Sequence, residues 1–434
     1  MRQFVRPLVI SCALVLTGLV QAAPAAGGKA AKTAKPEPAP RVEIDLAHNL
    51  GAMGEDRLQE VVDRFNRDSK LGTVRLARTG EGAPTATLNL VRRYDLDDVL
   101  YRPGGFVPLY KVMAEAKENL RLRDLSPDVL AGVTDDKGRL VALPVAYSTP
   151  VLFYNKAAFR KAGLNPEQAP RTWAEMQAVL DKLQEADIDC PYTTAWPTWV
   201  HIDNVAALSG APATEKGTLQ FNGLAHIKHI AMMTTWQKAG YFRSFGRHGE
   251  ANAKFQDGTC ATITTDSWEH TAFRTAPGIE LGVAPLPHHD DLYGGRQHTL
   301  ADGASIWVGG GRKPAEYKLA ARFIAFLMSP EMQIAMPRTY GQLPMTEVAR
   351  QALDSAILRD QGSALKVAYA SMAGRGAQPP LRVANINSVR IIVDEELEAV
   401  WSNRKPAKAA LDTAVQRGNA VLAAKPFLKK GQPF

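Results

Sequence analysis

The stretch YSTPVLFYNK, Tyr147–Lys156, decides how the chain is divided. Its apolar run at 151–153 is short and bounded by turn residues, which predicts a buried strand. Ser148 and Thr149 precede this run, where the backbone leaves one element and enters the next. Hydroxyl groups at such a junction either satisfy neighbouring backbone groups or form a ligand site on a strand that crosses between two lobes. The stretch alone leaves both interpretations open.

The first 40 residues predict export. Arg2 and Arg6 precede an apolar run from Leu8 to Val20, and small residues follow it. We therefore interpret residues 1–22 as a cleaved signal peptide. Residues 23–40 are rich in Ala, Pro, Gly and Lys, and such a composition predicts a disordered linker.

The three cysteines fall into two groups. Cys12 ends the sequence VISC, which is similar to the acylation box of lipoproteins. It lies inside the apolar run, however, and this position disfavours lipidation without excluding it. Cys190 and Cys260 remain, and a cysteine pair in an exported chain favours a disulfide. That bond would close a loop of about 70 residues and stabilise the fold by about 4 kcal/mol in the chain-entropy description.

The charge of the chain disfavours nucleic-acid binding, and its length indicates more than one lobe. The formal net charge is +8, and about +4 remains once the charged residues of 1–40 are removed. This weak excess does not predict a nucleic-acid surface, which needs a clustered basic face. About 394 residues then remain, enough for two or three lobes.

Strand and helix patterns alternate along the mature chain. Apolar residues at 42–47 and 73–77 predict strands, and the spacing at 58–65 predicts a helix between them. The segment 172–183 begins with a capping box, and the chain after Pro344 is mostly helical in pattern. We therefore predict an α/β fold with parallel sheets flanked by helices and a helical C-terminal end.

Two stretches offer enzymatic chemistry. The sequence TTDSWEH at 264–270 brings Asp266, Ser267 and His270 close along the chain, but a catalytic triad is defined by spatial geometry. The sequence HHDD, His288–Asp291, could hold a metal, although the prolines and glycines around it are typical of a solvated loop. An exported phosphoesterase is therefore an alternative with weak candidates.

Other polar and aromatic residues lie at predicted element ends. Each has a structural alternative: Trp196 or Trp199 as core, Gly303 as a turn residue, and Arg390 as a partner of Asp394 one helical turn on. Arg390 lies near a helix start, where the macrodipole disfavours a positive charge and an anionic partner would be stabilising. The candidates for a binding role are Ser148, Trp196, Ser267, Gly303 and Arg390.

Five blocks carry a resemblance to a known family. The chain resembles the family 1 extracellular solute-binding proteins of bacterial ABC importers, and within them the members that bind glycerol phosphate. This implies a two-lobed fold of the maltose-binding type, and cysteines of the family match Cys190 and Cys260. The blocks are 148–176, IKHIAMM (227–233) with KFQDGTCA (254–261), DGASIWV (302–308), RIIVDEELEAVW (390–401) and ALDTAVQRGN (410–419).

The resemblance also implies boundaries for the lobes. The N-terminal lobe would comprise residues 41–148 and 301–342, and the C-terminal lobe residues 149–300 and 343–434. The strand that matches YSTPVLFYNK passes between these lobes in the family. We therefore expect the opening stretch to carry ligand contacts.

The resemblance further implies roles for individual residues. The matches of Ser148, Ser267 and Gly303 lie at the ligand's phosphate, that of Trp196 packs on glycerol, and that of Arg390 binds the ligand. Hydroxyls, backbone N–H groups and an arginine are suitable donors for phosphate oxygens.

Three positions depart from the family pattern. Glu81 and Arg102 stand where the family's first lobe contributes a tyrosine and a glutamate. Gln342 stands at the position of a second tyrosine, with Tyr340 close by. These changes affect the groups that would contact glycerol, so the ligand could be glycerol 3-phosphate, a glycerophosphodiester or a neutral oligosaccharide.

The functional expectation is transport. The resemblance implies a periplasmic binding protein that captures its ligand by lobe closure and delivers it to an ABC permease in the inner membrane. We expect a monomer that binds no cofactor and no nucleic acid and catalyses no reaction. The competing classes are an exported phosphoesterase and a tethered scaffold protein without a ligand.

Overall fold

The computed structural model describes most of the mature chain. The predicted signal peptide 1–22, the predicted linker 23–40, Cys12, Glu81 and Arg102 lie outside the described residues. The described ranges are 41–50, 52–79, 85–92, 105–120, 124–125, 127–130, 133–135, 137–292, 298–340, 342–357, 364–372 and 386–423.

Six of the described strands form one sheet, in which parallel and antiparallel pairs mix. β1 pairs in parallel with β2 and β3, and the long strand β12 pairs antiparallel with β3, β4 and β5. The sheet order is β2-β1-β3-β12-β4, with β5 also on β12. The strands are β1 Val42–His48, β2 Gly72–Arg78, β3 Leu88–Arg92, β4 Phe106–Val107, β5 Leu143–Ser148 and β12 Asp302–Gly309.

Four further described strands form a second sheet in the order β11-β6-β10-β7. Its central strand β6 is antiparallel to both neighbours, β10 and β11. A two-stranded hairpin, β8 with β9, lies apart from both sheets. The strands are β6 Pro150–Asn155, β7 Tyr192–Thr194, β8 Thr214–Glu215, β9 Thr218–Leu219, β10 Thr262–Asp266 and β11 Leu281–Pro285.

The stretch Tyr147–Lys156 connects the two sheets. Ser148 ends β5 in the six-stranded sheet, and Pro150 begins β6 in the four-stranded sheet. Thr149 lies between them and is fully buried. Its hydroxyl donates a hydrogen bond of 2.6 Å to the hydroxyl of Thr299, which lies on the segment that returns to β12. Two of the points where the chain crosses between the sheets are therefore neighbours.

Helices cover the sheets as the alternating pattern predicts. The capping box of Thr172 and Glu175 begins one of them, as expected, and the described residues after Pro344 are mostly helical. No helix among the described residues is long and apolar enough to span a membrane. The α-helices are α1 Ala52–Asp68, α2 Leu109–Glu115, α3 Pro127–Leu130, α4 Lys156–Lys161, α5 Trp173–Glu185, α6 Asn204–Ser209, α7 Leu224–Ala239, α8 Glu250–Gln256, α9 His270–Phe273, α10 Pro314–Leu327, α11 Pro330–Tyr340, α12 Glu347–Ile357, α13 Ala364–Met372, α14 Ile386–Trp401 and α15 Ala407–Ala423.

The apolar run of β6 is buried on both faces. Val151 and Phe153 belong to the hydrophobic cluster that also contains the six-stranded sheet. Leu152 and Tyr154 point to the opposite face, into a second cluster with α5, α14 and α15. Alternate side chains of a strand point to opposite faces, so a continuous apolar run is what a doubly covered central strand requires.

A chain of hydrogen-bonded rings runs through the second cluster. His201 Nδ1 lies 2.8 Å from His229 Nε2, and His229 Nδ1 lies 3.0 Å from His289 Nε2. His201 Nε2 also lies 3.2 Å from the hydroxyl of Tyr192. The chain packs around the indole of Trp173. Burial lowers the pKa of His201 to about 3 and that of His289 to about 4, and it lowers the pKa of His229 well below its ordinary value.

Cys190 and Cys260 form a disulfide across a separation of 70 residues, with their Cα atoms 4.5 Å apart. Both residues are fully buried. We predict that the variant with Cys190→Ala and Cys260→Ala loses about 4 kcal/mol of unfolding free energy, because its unfolded chain regains the entropy of the open loop. Thermal unfolding with and without reductant measures the loss. Equal midpoints, or free labelling of both thiols in the oxidised folded protein, would contradict it.

The histidine chain predicts an acid-sensitive fold. The unfolded chain binds protons at its histidines below about pH 6.5, whereas the buried rings resist protonation down to about pH 4. The contribution of these histidines to the free energy of unfolding should therefore fall as pH drops through this window, since the unfolded state binds more protons at these rings. Burial raises the pKa values of Asp266, Glu269 and Asp394, which acts in the opposite direction, so the histidine contribution is measured as the difference between wild type and a histidine variant. Thermal unfolding at pH 7.5 and pH 5.0 measures the change.

The matched variants are His229→Gln, at the centre of the chain, and His248→Gln, whose side chain is 54% exposed. We expect His229→Gln to reduce the difference between the two pH values and His248→Gln to keep it. An identical pH dependence in wild type and His229→Gln would argue against the histidine chain as its source.

Candidate ligand-binding site

A cavity of about 710 Å³ lies between the two sheets. Its size is within the range of pockets that enclose small molecules. Four of the predicted residues line it together: Ser148, Trp196, Gly303 and Gln342. They come from β5, from the loop after β7, from β12 and from the turn after α11, so segments distant along the chain converge here.

Aromatic rings form much of one wall. Trp196, Trp199 and Trp268 line the cavity together with His248. Trp196 has a φ of 53°, a backbone conformation that is a rare outlier for a bulky residue. Its N–H donates a 2.9 Å hydrogen bond to the carbonyl of His248, and the two rings lie 5.2 Å apart at their centroids. The strained backbone holds this indole at the cavity.

A single π-helical turn, Trp199–Asp203, contributes both a wall and an ion pair. Trp199 lines the cavity, whereas Asp203 faces away toward Arg390. π-helical turns are rare and are frequent at functional sites. His201 of the same turn belongs to the buried histidine chain. The histidine chain is therefore directly attached to the wall of the cavity.

Opposite charges face each other across the cavity. Asp266 and Glu269 lie on the four-stranded sheet side, and Arg57 and Arg92 lie on α1 and β3 of the other side. Both carboxyl groups are buried, and the resulting desolvation raises their pKa values. The charge of Asp266 raises the pKa of Glu269 further, while Arg92 lowers both. This pair therefore changes its charge nearer to neutral pH than ordinary carboxyl groups do.

Arg390 is buried, and its partners differ from the predicted one. Its Nη2 donates to Asp203 Oδ2 at 3.0 Å and to Asp302 Oδ2 at 3.1 Å. Asp394, the predicted partner, instead accepts a 2.5 Å hydrogen bond from the hydroxyl of Thr198. The guanidinium extends from its own helix toward two other elements. Burial raises the pKa of Asp394, and the charge of Arg390 opposes this rise, so the two side chains also interact electrostatically. Asp302 lines the cavity, so Arg390 lies directly behind the wall.

Gly303 is required by a close approach of two strands. A Cβ at this position would lie 1.7 Å from the carbonyl oxygen of Ala146 on β5. Close backbone approach is a recurrent reason for glycine inside a strand. The N–H of Gly303 donates a 2.7 Å hydrogen bond to Asp302 Oδ1. Gly303 is therefore a strand residue rather than a turn residue.

Ser267 lies at the crossing rather than on the wall. Its N–H donates to the carbonyl of Thr149 at 3.0 Å, and its hydroxyl accepts from the N–H of Thr149 at 3.4 Å. Its two neighbours, Asp266 and Trp268, both line the cavity. Ser267 therefore lies next to the cavity, in contact with the crossing segment at Thr149.

Several cavity residues were missed by the sequence reasoning. Asp302 and Trp268 are the immediate neighbours of the predicted Gly303 and Ser267, so adjacency was a usable signal. Asp203 had no such signal, because it contacts Arg390 across 187 residues of sequence. The predicted residues Glu81 and Arg102 lie outside the described part of the chain.

The enzymatic candidates are engaged in structural contacts. In HHDD, His289 ends the histidine chain and Asp291 forms an ion pair with Lys228. His270 stacks on Phe153 with ring centroids 6.5 Å apart. Among the described residues, no group of three or more histidine, cysteine, aspartate or glutamate side chains could hold a metal ion.

Sequence comparison identifies relatives over most of the chain. A family model of bacterial extracellular solute-binding proteins matches residues 67–361. A relative from Yersinia pseudotuberculosis, the sn-glycerol-3-phosphate-binding periplasmic protein UgpB, is 37% identical over 88% of this chain and 92% of its own length. The protein of that name from Salmonella paratyphi A is 38% identical over 73% of this chain and 75% of its own.

Structure comparison gives the fold. UgpB from Mycobacterium tuberculosis in complex with glycerophosphocholine is similar at a TM-score of 0.73, with 21% identity over 88% of this chain and 98% of that one. Maltose-bound MalE3 from T. maritima is similar at a TM-score of 0.71, with 17% identity over 88% of this chain and 100% of that one. The chain thus has the two-lobed α/β fold of the maltose-binding type, and it belongs to the family of bacterial extracellular solute-binding proteins.

Proposed function

We propose that this protein is the periplasmic binding component of an ABC importer and captures sn-glycerol 3-phosphate or a related glycerophosphodiester. The observation that carries the proposal is the cavity between the two sheets, next to the points where the chain crosses between them. A ligand there contacts both sides and favours the closed arrangement, since a ligand shifts an equilibrium by its differential affinity for the two states.

The ligand class is supported by the donors around the cavity. Ser148 and Gly303 line it, and Arg390 lies behind Asp302 within 3.1 Å. Hydroxyl, backbone N–H and guanidinium groups are the donors that bind phosphate oxygens most strongly. The relatives named as binding sn-glycerol 3-phosphate, at 37–38% identity, support the same class.

The lobes and partners complete the proposal. Residues 41–148 and 301–342 form one lobe, and residues 149–300 and 343–434 form the other, with the crossing at Thr149 as the hinge. The protein acts as a monomer, needs no cofactor, and delivers the unaltered ligand to the permease subunits in the inner membrane.

A neutral oligosaccharide is a second candidate. Three tryptophans line the cavity, and its volume of about 710 Å³ leaves room for more than one small ring. Aromatic faces provide large apolar contact areas for such ligands. The maltose-bound MalE3 structure has the same fold.

The first prediction of this proposal is micromolar binding of glycerol 3-phosphate, which corresponds to about 8 kcal/mol. The measurement is calorimetric titration of the mature protein after unfolding and refolding, which removes carried-over ligand. Glycerophosphocholine and maltotriose are titrated in parallel. Heat with maltotriose alone would favour the oligosaccharide candidate and overturn the phosphate proposal.

The second prediction concerns Arg390→Ala. We expect at least a tenfold loss of affinity for glycerol 3-phosphate, because a charged hydrogen bond is removed. Arg417→Ala is the matched control, since that guanidinium is 41% exposed, pairs with Glu395 and the buried Glu396 of α14, and does not line the cavity. Removal of Arg390 also leaves Asp203 and Asp302 buried together, so thermal unfolding must accompany the titration. Unchanged affinity in the folded variant would remove Arg390 from the site.

A further inference from the structure

Asp302 occupies two of the donors that the proposed function assigns to the ligand. Its Oδ2 accepts from Arg390 Nη2 at 3.1 Å, and its Oδ1 accepts from the N–H of Gly303 at 2.7 Å. The residue is 6% exposed and lines the cavity. One carboxylate therefore binds a guanidinium and a backbone N–H as a phosphate group would.

The position of Asp302 is fixed by the strands. It begins β12 and lies opposite Ser148, the last residue of β5, in the antiparallel register. Gly303 follows it at the close approach to Ala146, where no side chain fits. The carboxylate, the N–H of Gly303 and the residue Ser148 are thus held together at one edge of the cavity.

Arg390 does not depend on Asp302 for its orientation. Asp203, 8% exposed, accepts from the same Nη2 at 3.0 Å and does not line the cavity. Arg390 with both aspartates ionised carries a local net charge of −1, which repels an anion. Removal of the Asp302 carboxylate would leave the hydrogen bond from Arg390 to Asp203 in place and remove one negative charge from the cavity wall.

We propose that Asp302 is a specificity-determining residue that competes with the anionic ligand for Arg390 and the N–H of Gly303. The inference rests on the proposed function and adds a step to it. A phosphate oxygen reaches these donors only when the Asp302 carboxylate leaves them. The cost of this displacement lowers affinity for every phosphate ligand and discriminates against weakly charged anions.

The test is titration of glycerol 3-phosphate into wild type, Asp302→Ala and Asp302→Asn. Alanine releases both donors, so we expect at least tenfold tighter binding, because charge-assisted hydrogen bonds form without displacement. Asparagine loses the charge but still accepts from the N–H of Gly303, so its affinity should lie between the other two. Asp291→Asn is the control, because it changes the net charge by the same amount at a side chain that is 62% exposed. This variant should bind glycerol 3-phosphate as tightly as wild type does.

A second measurement uses the unaltered protein. In a crystal structure with glycerol 3-phosphate, the distance from Arg390 Nη2 to Asp302 Oδ2 should exceed 4 Å, with a phosphate oxygen in the place of the carboxylate. The same contact at 3.1 Å beside bound ligand would overturn the competition. This result does not depend on how the variants fold.

The outcomes separate the inference from the function on which it rests. Equal or weaker binding by both Asp302 variants, with wild type still binding, overturns the inference alone and shows that Asp302 accepts a ligand hydroxyl or acts elsewhere. No binding by wild type or any variant overturns the proposed function and the inference with it. Tighter binding in the order alanine, asparagine, wild type supports both.

Discussion

The whole architecture depends on two segments that cross between the sheets side by side. The hydroxyl of Thr149 donates to that of Thr299, and the N–H of Ser267 donates to the carbonyl of Thr149. The cavity wall is attached directly to this pair of crossings, since Ser148 precedes one of them and Asp302 follows the other. A hinge built this way must change the geometry of the site whenever the two sheets move relative to each other.

Most of the charged side chains around the cavity have a partner of opposite charge nearby. Arg57 and Arg92 face Asp266 and Glu269, and Arg390 lies between two aspartates. Because these charges are paired locally, the small positive net charge of the sequence was a weak guide to the ligand. Recognition of an anion in such a site depends on which internal pairs separate, because each buried partner left alone carries a desolvation cost.

Local patterns in the sequence predicted local structure well. The apolar run of β6 and the capping box of α5 each reflect neighbours a few residues away, and both are confirmed. The partners of Arg390 lie 187 and 88 residues away along the chain, so spacing rules could only suggest Asp394. The HHDD stretch similarly joined a histidine chain whose other members lie in the π-helical turn and on α7. The resemblance named four residues of the cavity wall, Ser148, Trp196, Gly303 and Gln342, but the pairing of the carboxylates around the cavity was found only in three dimensions.

The distribution of tryptophans gives the molecule an optical property. Of its seven tryptophans, three line the cavity, and the other four are buried in the hydrophobic clusters: Trp173, Trp236, Trp307 and Trp401. The four buried tryptophans contribute fluorescence that is insensitive to the cavity, whereas a ligand in the cavity changes the surroundings of the other three. Ligand binding can therefore be followed by the intrinsic tryptophan fluorescence of the protein. Single replacement of Trp196, Trp199 or Trp268 by phenylalanine would show which of the three indoles produces the fluorescence change. The unlabelled protein can therefore report its own ligand binding by fluorescence.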